Sequence, residues 1–407
     1  GAANHRCAAR ANEPVARMTI PGCVYLDYAA TTPVEPLVAA RMAECLGRDG
    51  VFGNPGSNSH AYGEAARERV EAARAQVAEA VGAQPAEVVW TSGATEANNL
   101  AIFGVAQYNA GVGRHIVTVR TEHKAVLDPC RELERRGWHV TYLTPDGSGV
   151  LEPVQVAAAL RPDTVLVSVM HVNNEIGVIQ DIASIAALCA RSGSARLHVD
   201  AAQSIGKCAV NFSELGIDLL SLSAHKAYGP KGVGALVVSR RRGVQLQPLL
   251  YGGGQERTLR SGTVATHQVV GMGAAFALVK AAPQAEIERV ALLKDRLWNG
   301  LRSIGGVLRN GDIERSVPHL LNVSFEGVEG ESLLAAVRPH IAVSTGSACT
   351  SINQEPSYVL RALGRDDRLA ESSLRFSFGR ISTEGDVDTA VSAVTRAVER
   401  LRRIGGA

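Results

Sequence analysis

The stretch Ser221-Leu222-Ser223-Ala224-His225-Lys226-Ala227-Tyr228-Gly229-Pro230-Lys231-Gly232 overlaps the end of an apolar run, Ile217 to Leu222, and closes on Gly-Pro and Lys-Gly. The run reads as a buried strand and the closing pairs as turn chemistry. A lysine therefore sits just past the carboxyl end of a strand, beside a serine and a histidine. In open α/β sheets that edge is where ligands bind. A lysine in a dry pocket there can lose its proton and attack a carbonyl. A lysine in a solvated turn is the ordinary alternative. The chain has only six lysines, at 124, 207, 226, 231, 280 and 294, and its positive charge is otherwise arginine. A carbonyl-binding lysine thus has few candidates, and Lys226 is the one on a Ser-x-His-Lys strand end.

On either side of this stretch the sequence alternates. Strands are expected at Val24–Asp27, Val88–Trp90, His115–Val119, Val140–Leu143, Val165–Met170, Leu197–Val199 and Gly234–Val238. Helical spacing covers Glu35–Leu46, Ala65–Val81, Thr95–Tyr108 and Lys124–Arg136. Strands alternating with helices imply a mainly parallel sheet with helices on both faces. After about residue 270 the pattern changes. Helices at Gly271–Ala281 and Ala285–Ile304 precede strands near Leu320–Phe325 and Ser373–Phe378 and a closing helix. The reading is an α/β large domain over residues 36–280, and a smaller α+β domain made of 1–35 and 281–407.

Composition narrows the function classes. The chain has 407 residues, a formal net charge of +2 and seven scattered cysteines with no Cys-x-x-Cys. Neither a nucleic-acid partner, a zinc site nor a disulfide framework is suggested, and a reducing, cytoplasmic setting is expected. No apolar stretch reaches the roughly 18 residues of a membrane helix. The first twenty residues carry Arg6, Arg10 and Arg17 without an apolar core. They read as a tail in preference to the remnant of a transit peptide. Ser204-Ile205-Gly206-Lys207-Cys208 imitates the end of a phosphate loop but lacks its first glycine and its Ser/Thr. No dinucleotide fingerprint follows a first strand.

Several strand ends carry polar groups. Thr91-Ser92-Gly93-Ala94-Thr95-Glu96 opens a helix after a strand, where free N–H groups and the helix dipole suit a phosphate; a plain N-cap is the other reading. Asp200, with Gln203 beyond it, ends a buried strand and suits a pyridinium nitrogen or an N-cap. His123, in Thr121-Glu122-His123-Lys124, suits ring stacking or proton transfer, or is a loop histidine. Asn174 follows the strand ending at Met170. Together with Ser223, His225 and Lys226 these groups converge on one rim. A lysine, an acid for a ring nitrogen and a phosphate cup specify pyridoxal 5'-phosphate. Outside the sheet, Gly252-Gly253-Gly254-Gln255-Glu256-Arg257 and Arg260-Ser261-Gly262-Thr263 form a glycine-rich loop ending in a hydroxyl. Cys349 lies among small polar residues and reads as a reactive thiol on an exposed, mobile loop. Arg375 alternates with apolar residues on a strand, where a guanidinium can clamp a carboxylate or form a surface ion pair.

With these segments in order, the chain resembles the cysteine desulfurases of the class V aminotransferase group, nearest the housekeeping iron-sulfur-cluster type. The match runs from about Tyr25 to Arg403 and includes Leu26 to Pro33, His171 to Gly177, Ser223 to Gly232, Gly346 to Ser351 and Glu355 to Arg361. The resemblance implies a fold-type I transferase, conversion of L-cysteine to L-alanine, and a protein persulfide supplied to iron-sulfur scaffold or tRNA-thiolation carrier proteins. A selenocysteine lyase or another class V aminotransferase is the alternative. It further implies that Lys226 tethers the cofactor and moves the substrate's α-proton, and that Asp200 pairs with the ring nitrogen. Gln203 would reach the ring oxygen, and His123 would stack on the ring. Ala94, Thr95, Ser223 and His225 would hold the phosphate, with Thr263 reaching across a homodimer. Asn174 and Arg375 would hold substrate, and Cys349 would take the sulfur. No metal is implied. Members of the housekeeping group continue beyond the Arg-Leu-Arg segment into an aromatic-rich, scaffold-docking tail. This sequence stops at Ala407, so scaffold docking is in doubt.

Overall fold

Strand β1 (Val24–Tyr25) and helices α1 (Pro36–Ala43) and α2 (Ala61–Ala80) open the computed structural model, which describes residues 22–282, 284–345 and 355–405. A rhythm of strand and helix follows: β2 (Val88–Thr91), α3 (Ala94–Tyr108), β3 (His115–Val119), α4 (Lys124–Arg135) and β4 (His139–Leu143). It continues with α5 (Pro153–Ala159), β5 (Thr164–Met170), α6 (Ile182–Ser192), β6 (Arg196–Asp200), β7 (Leu219–Ser223) and β8 (Gly234–Val238). Helices α7 (Thr266–Lys280) and α8 (Gln284–Leu301) lead to β9 (Val307–Asn310), β10 (Leu320–Phe325), α9 (Gly330–Val337) and β11 (Ile341–Ala342). The chain closes with α10 (Tyr358–Ala362), α11 (Asp367–Glu371), β12 (Ser373–Ser377) and α12 (Glu384–Ile404).

Seven strands form one sheet in the order β2-β8-β7-β6-β5-β3-β4. Their side chains alternate between two cores, as the strand period demands. Val117, Val119, Val167, Val169, Leu220 and Leu222 face α2, α6 and α7. Val89, Ile116, Leu219 and Leu236 face α3 and α4. The mainly parallel sheet flanked by helices therefore forms as the alternation implies. One strand departs from it, because β8 is antiparallel to both β2 and β7. The link from Ser223 to Gly234 is too short for a crossover helix, which needs a dozen or more residues. The chain must turn back, and that turn is the stretch carrying Lys226.

Two helices start well ahead of where the periodicity puts them. Helix α2 starts at Ala61, because His60 caps it: its Nδ1 accepts the Gly63 N–H at 3.1 Å. Gly63 weakened the helical signal there, yet it is required by packing; a Cβ would lie 2.8 Å from Ser57 Cβ. Helix α7 starts at Thr266, ahead of the apolar run that marked it.

A second core joins Leu26 to residues of α8, β10, α9, β12 and α12, including Leu297, Phe325, Phe376 and Val394. Its sheet is β12-β10-β9, all antiparallel. The N-terminal strand pairs in parallel with β11, Val24 opposite Ile341, and Asp27 bridges to Ser377. The entering chain is thereby tied to the same strand that carries Arg375.

Candidate active site

Five parallel strands, β2, β3, β5, β6 and β7, end at the same edge of the large sheet. The loops that leave them line a cavity of about 540 Å³. Ala94, Thr95, His123, Asn174, Asp200, Gln203, Ser223, His225 and Lys226 all line it. Sequence reasoning had not singled out Asn98, Thr31 or Lys231, which line it as well.

Helix α3 reaches the cavity through a close backbone approach. A Cβ on Gly234 would lie 2.7 Å from Gly93 Cα. Glycine at 234 lets the Ser92-Gly93 turn lie directly on β8. The N-terminal N–H groups of α3, which lack intrahelical acceptors, then open on the cavity beside Ala94 and Thr95.

The Lys226 turn is latched by the N-terminal segment. The Thr32 N–H and hydroxyl both donate to the His225 carbonyl, each at 2.9 Å. The Tyr228 N–H donates to Thr32 Oγ1 at 2.8 Å, and Tyr228 holds a left-handed φ of 61°. Burial first, then the Lys226, Lys231 and Lys207 charges, push the His225 ring down to about 4. It is therefore neutral near pH 7, with Nδ1 3.1 Å from Thr31 Oγ1.

Asp200 is 5% exposed and both its oxygens are hydrogen-bonded: Oδ2 accepts from Asn98 Nδ2 at 2.7 Å and Oδ1 from the Ala202 N–H at 2.9 Å. This meets the demand that a buried carboxylate be hydrogen-bonded. Asn98 Oδ1 and Asn174 Oδ1 are buried acceptors with no partner among the described residues. His123 caps α4, its Nδ1 accepting the Ala125 N–H at 3.0 Å. Burial lowers its ring below the usual histidine range, outweighing the Asp200 charge. The neutral ring then carries its proton on Nε2.

Beneath this floor lie two buried acids. Glu122 takes the Met170 N–H at 2.6 Å, and burial raises it far above the usual carboxylate range. Glu175, pushed up to about 7 by burial, accepts from Ser357 Oγ at 2.5 Å.

Arg375 is 3% exposed and lies behind the lining residues. It donates to the Asn174 carbonyl and to Asp27 Oδ1, both at 2.8 Å, and its Nε finds no partner among the described residues. Its backbone exchanges hydrogen bonds with Ser344. Cys349 lies outside the described residues. Its flanks are described, and both are tied to this site, by Ser344 to Arg375 on one side and by Ser357 to Glu175 and Tyr358 to the Glu122 carbonyl on the other. Thr263 is exposed and does not line this cavity. Its loop is held by a buried bidentate pair, Arg74 to Glu256 at 2.8 and 2.9 Å.

The class-V aminotransferase family model matches residues 24–390. The chain is 56% identical over 379 residues to the cysteine desulfurase IscS of Pectobacterium atrosepticum, covering 93% of each. It is 57% identical over 381 residues to the cysteine desulfurase IscS of Aeromonas hydrophila, covering 94% of each. Among solved structures, a NifS-like protein superposes with a TM-score of 0.87 at 34% identity, covering 93% of this chain and 100% of that one. A second, described as SspA in complex with cysteine, gives a TM-score of 0.78 at 38% identity and covers 88% and 100%.

Proposed function

The chain belongs to the class-V aminotransferase family, and from that membership we propose that it is a pyridoxal 5'-phosphate-dependent cysteine desulfurase. It converts L-cysteine to L-alanine and transfers the sulfur to an enzyme cysteine for iron-sulfur cluster assembly. The observation that carries this reading is that Lys226 and Asp200 line one cavity with the N-terminus of α3.

The residues fit the cofactor. About 540 Å³ accommodates a phosphorylated pyridine with a small amino acid. The acid needed for a ring nitrogen is already oriented by Asn98, and unpartnered Asn174 Oδ1 belongs to a lining residue. Pyridoxal phosphate, when bound, supplies an electron sink for the substrate's α-carbon. Asp200 would hold the ring nitrogen protonated. The N–H groups around Ala94 and Thr95, with the Ser223 hydroxyl and neutral His225, would bind the phosphate. Lys226 would tether the cofactor and then shuttle the α-proton. His123 would stack on the ring and present its Nε2 proton. Asn174 and Arg375 would hold the substrate. The Cys349 thiolate would attack the substrate sulfur. An S–S bond forms as the C–S bond breaks, the electron pair stays with the carbon skeleton, and a proton completes alanine.

Thr263 does not line its own chain's cavity, which supports a homodimer in which it reaches the partner's phosphate. We assign the large domain to 36–280 and the smaller to 1–35 with 281–407. Two separate cores support that division, one within residues 70–276 and one joining Leu26 to residues 290–398. The sulfur acceptors would be an iron-sulfur scaffold and a tRNA-thiolation carrier. The reaction would run in the cytoplasm; no described helix is long and apolar enough to cross a membrane.

The test is a spectrum and an assay. Protein mixed with pyridoxal phosphate should gain a visible chromophore, release alanine from L-cysteine and release sulfide when a reductant is present. Cys349→Ala should keep the chromophore and lose sulfide release. A chromophore without alanine or sulfide from the unaltered protein would overturn the activity.

A further inference from the structure

Lys207 stands between two cavities. A second cavity, of about 600 Å³, lies on the far side of Lys226 and is lined by Lys207, Lys226, Tyr228, His319 and Phe378 among others. Lys207 is only 8% exposed. Its Nζ donates to Gln203 Oε1, and Gln203 lines the first cavity. Gln203 Nε2 donates in turn to the Ala29 carbonyl at 2.7 Å. No carboxylate pairs with Lys207 among the described residues. The charged and titratable groups around it are Lys226, Arg375, Cys208, His225 and His319. A buried lysine whose partner is a neutral amide is costly, and neither the fold nor the mechanism above accounts for it.

We propose that Lys207 is a positioning residue for the cofactor: its ammonium fixes and polarises the Gln203 amide, so that an N–H faces the cofactor's ring oxygen. This rests on the reading that pyridoxal phosphate fills the first cavity with its ring oxygen at Gln203. The orientation follows from donor chemistry. A carbonyl oxygen only accepts and an ammonium only donates, so one placement of the amide satisfies both Ala29 and Lys207. Nε2 spends one hydrogen on Ala29 and keeps the other for the cavity. A cation on Oε1 makes that N–H a stronger donor. It also places a positive charge one side chain away from the ring oxygen, where it favours the oxyanion and disfavours a further proton on the chromophore. Burial first, and the Lys226 charge second, push the Lys207 amine down to about 7. An oxyanion across Gln203 would raise it again.

The experiment titrates the visible chromophore of the holoenzyme with pH and measures cofactor dissociation, in the wild type, Lys207→Met, Lys207→Arg, Gln203→Ala and the Lys207→Met/Gln203→Ala double variant. Lys207→Met should raise the chromophore pKa by about 1 unit and weaken cofactor binding about tenfold. Lys207→Arg should restore most of both. In the Gln203→Ala background the effect of Lys207→Met should shrink, because the two act in series. A chromophore pKa unchanged in Lys207→Met would overturn the proposal, as would an undiminished shift without Gln203. If Lys207→Met does not fold, Lys207→Gln, neutral but polar, takes its place in the same comparison. A wild-type holoenzyme with no chromophore would overturn the parent reading instead.

Discussion

The Asn98 side-chain amide donates to Asp200 Oδ2 at 2.7 Å, and both groups are buried. Asn98 lies on the second turn of α3, the helix whose first turn opens on the same cavity. In the proposed site one helix would thus present both a dipole end for a phosphate and the side chain that aims the acid for a ring nitrogen. Replacing Asn98 by Leu leaves Asp200 with one hydrogen bond and an unmet lone pair, a loss of about 1–3 kcal/mol at a buried carboxylate. The expected outcome is a roughly tenfold weaker hold on pyridoxal phosphate, with an altered absorbance maximum. Equilibrium dialysis and a spectrum measure both, and unchanged values would remove Asn98 from the site.

Asp27 holds the Arg375 guanidinium at 2.8 Å while Asn174 takes its other arm. Asp27→Asn should let the guanidinium reorient without changing the reacting atoms. KM for cysteine should rise about tenfold with kcat within about twofold, since lost positioning acts on binding. A lower KM would show that Asp27 competes with substrate for Arg375.

Glu256, Arg257 and Thr258 all hold left-handed φ values, 49°, 56° and 65°. Such backbone persists only where surroundings enforce it, and here Arg74 and the Trp90 N–H grip the Glu256 carboxylate. Glu256→Ala should destabilise the protein by about 1–3 kcal/mol, because buried Arg74 loses its bidentate partner and keeps only Glu71 and the Val88 carbonyl, while the Trp90 N–H loses its acceptor. Replacing both members by Met should recover much of the loss. Denaturant unfolding of the two variants measures this, and equal destabilisation would contradict it.

Glu175 titrates at about 7 against its ordinary 4.5, chiefly through burial. The folded state binds the proton more tightly than the unfolded chain, so this residue's contribution is fully present below 4.5 and is lost as pH rises through about 7. Relative to Glu175→Gln, the wild type should lose unfolding free energy across that window and run parallel to it on either side. Unfolding free energies over the window test this; parallel curves throughout would contradict the burial argument.

Much of the site was legible because strand ends are marked twice, by an apolar run and by the polar or turn residues after it. Lys226, Asp200 and Thr95 were found that way. Asn98 was not, since it sits inside a helix whose apolar pattern hides a single inward amide. Lys207 was masked by the false phosphate-loop pattern around Gly206, and its partner Gln203 can be paired with it only in three dimensions. The antiparallel direction of β8 was legible in principle from the short span between Ser223 and Gly234. Asp27, in a segment far from Arg375 in sequence, gave no local signal, because its role depends on the pairing of the N-terminal segment with β12.

The account stands on the covalent tether. Borohydride reduction of the holoenzyme, followed by digestion and mass mapping, should leave the pyridoxyl group on the peptide that carries Lys226. Label found instead on Lys207, Lys231 or Lys280, the other lysines beside the two cavities, would contradict the central claim, and so would no label on any lysine.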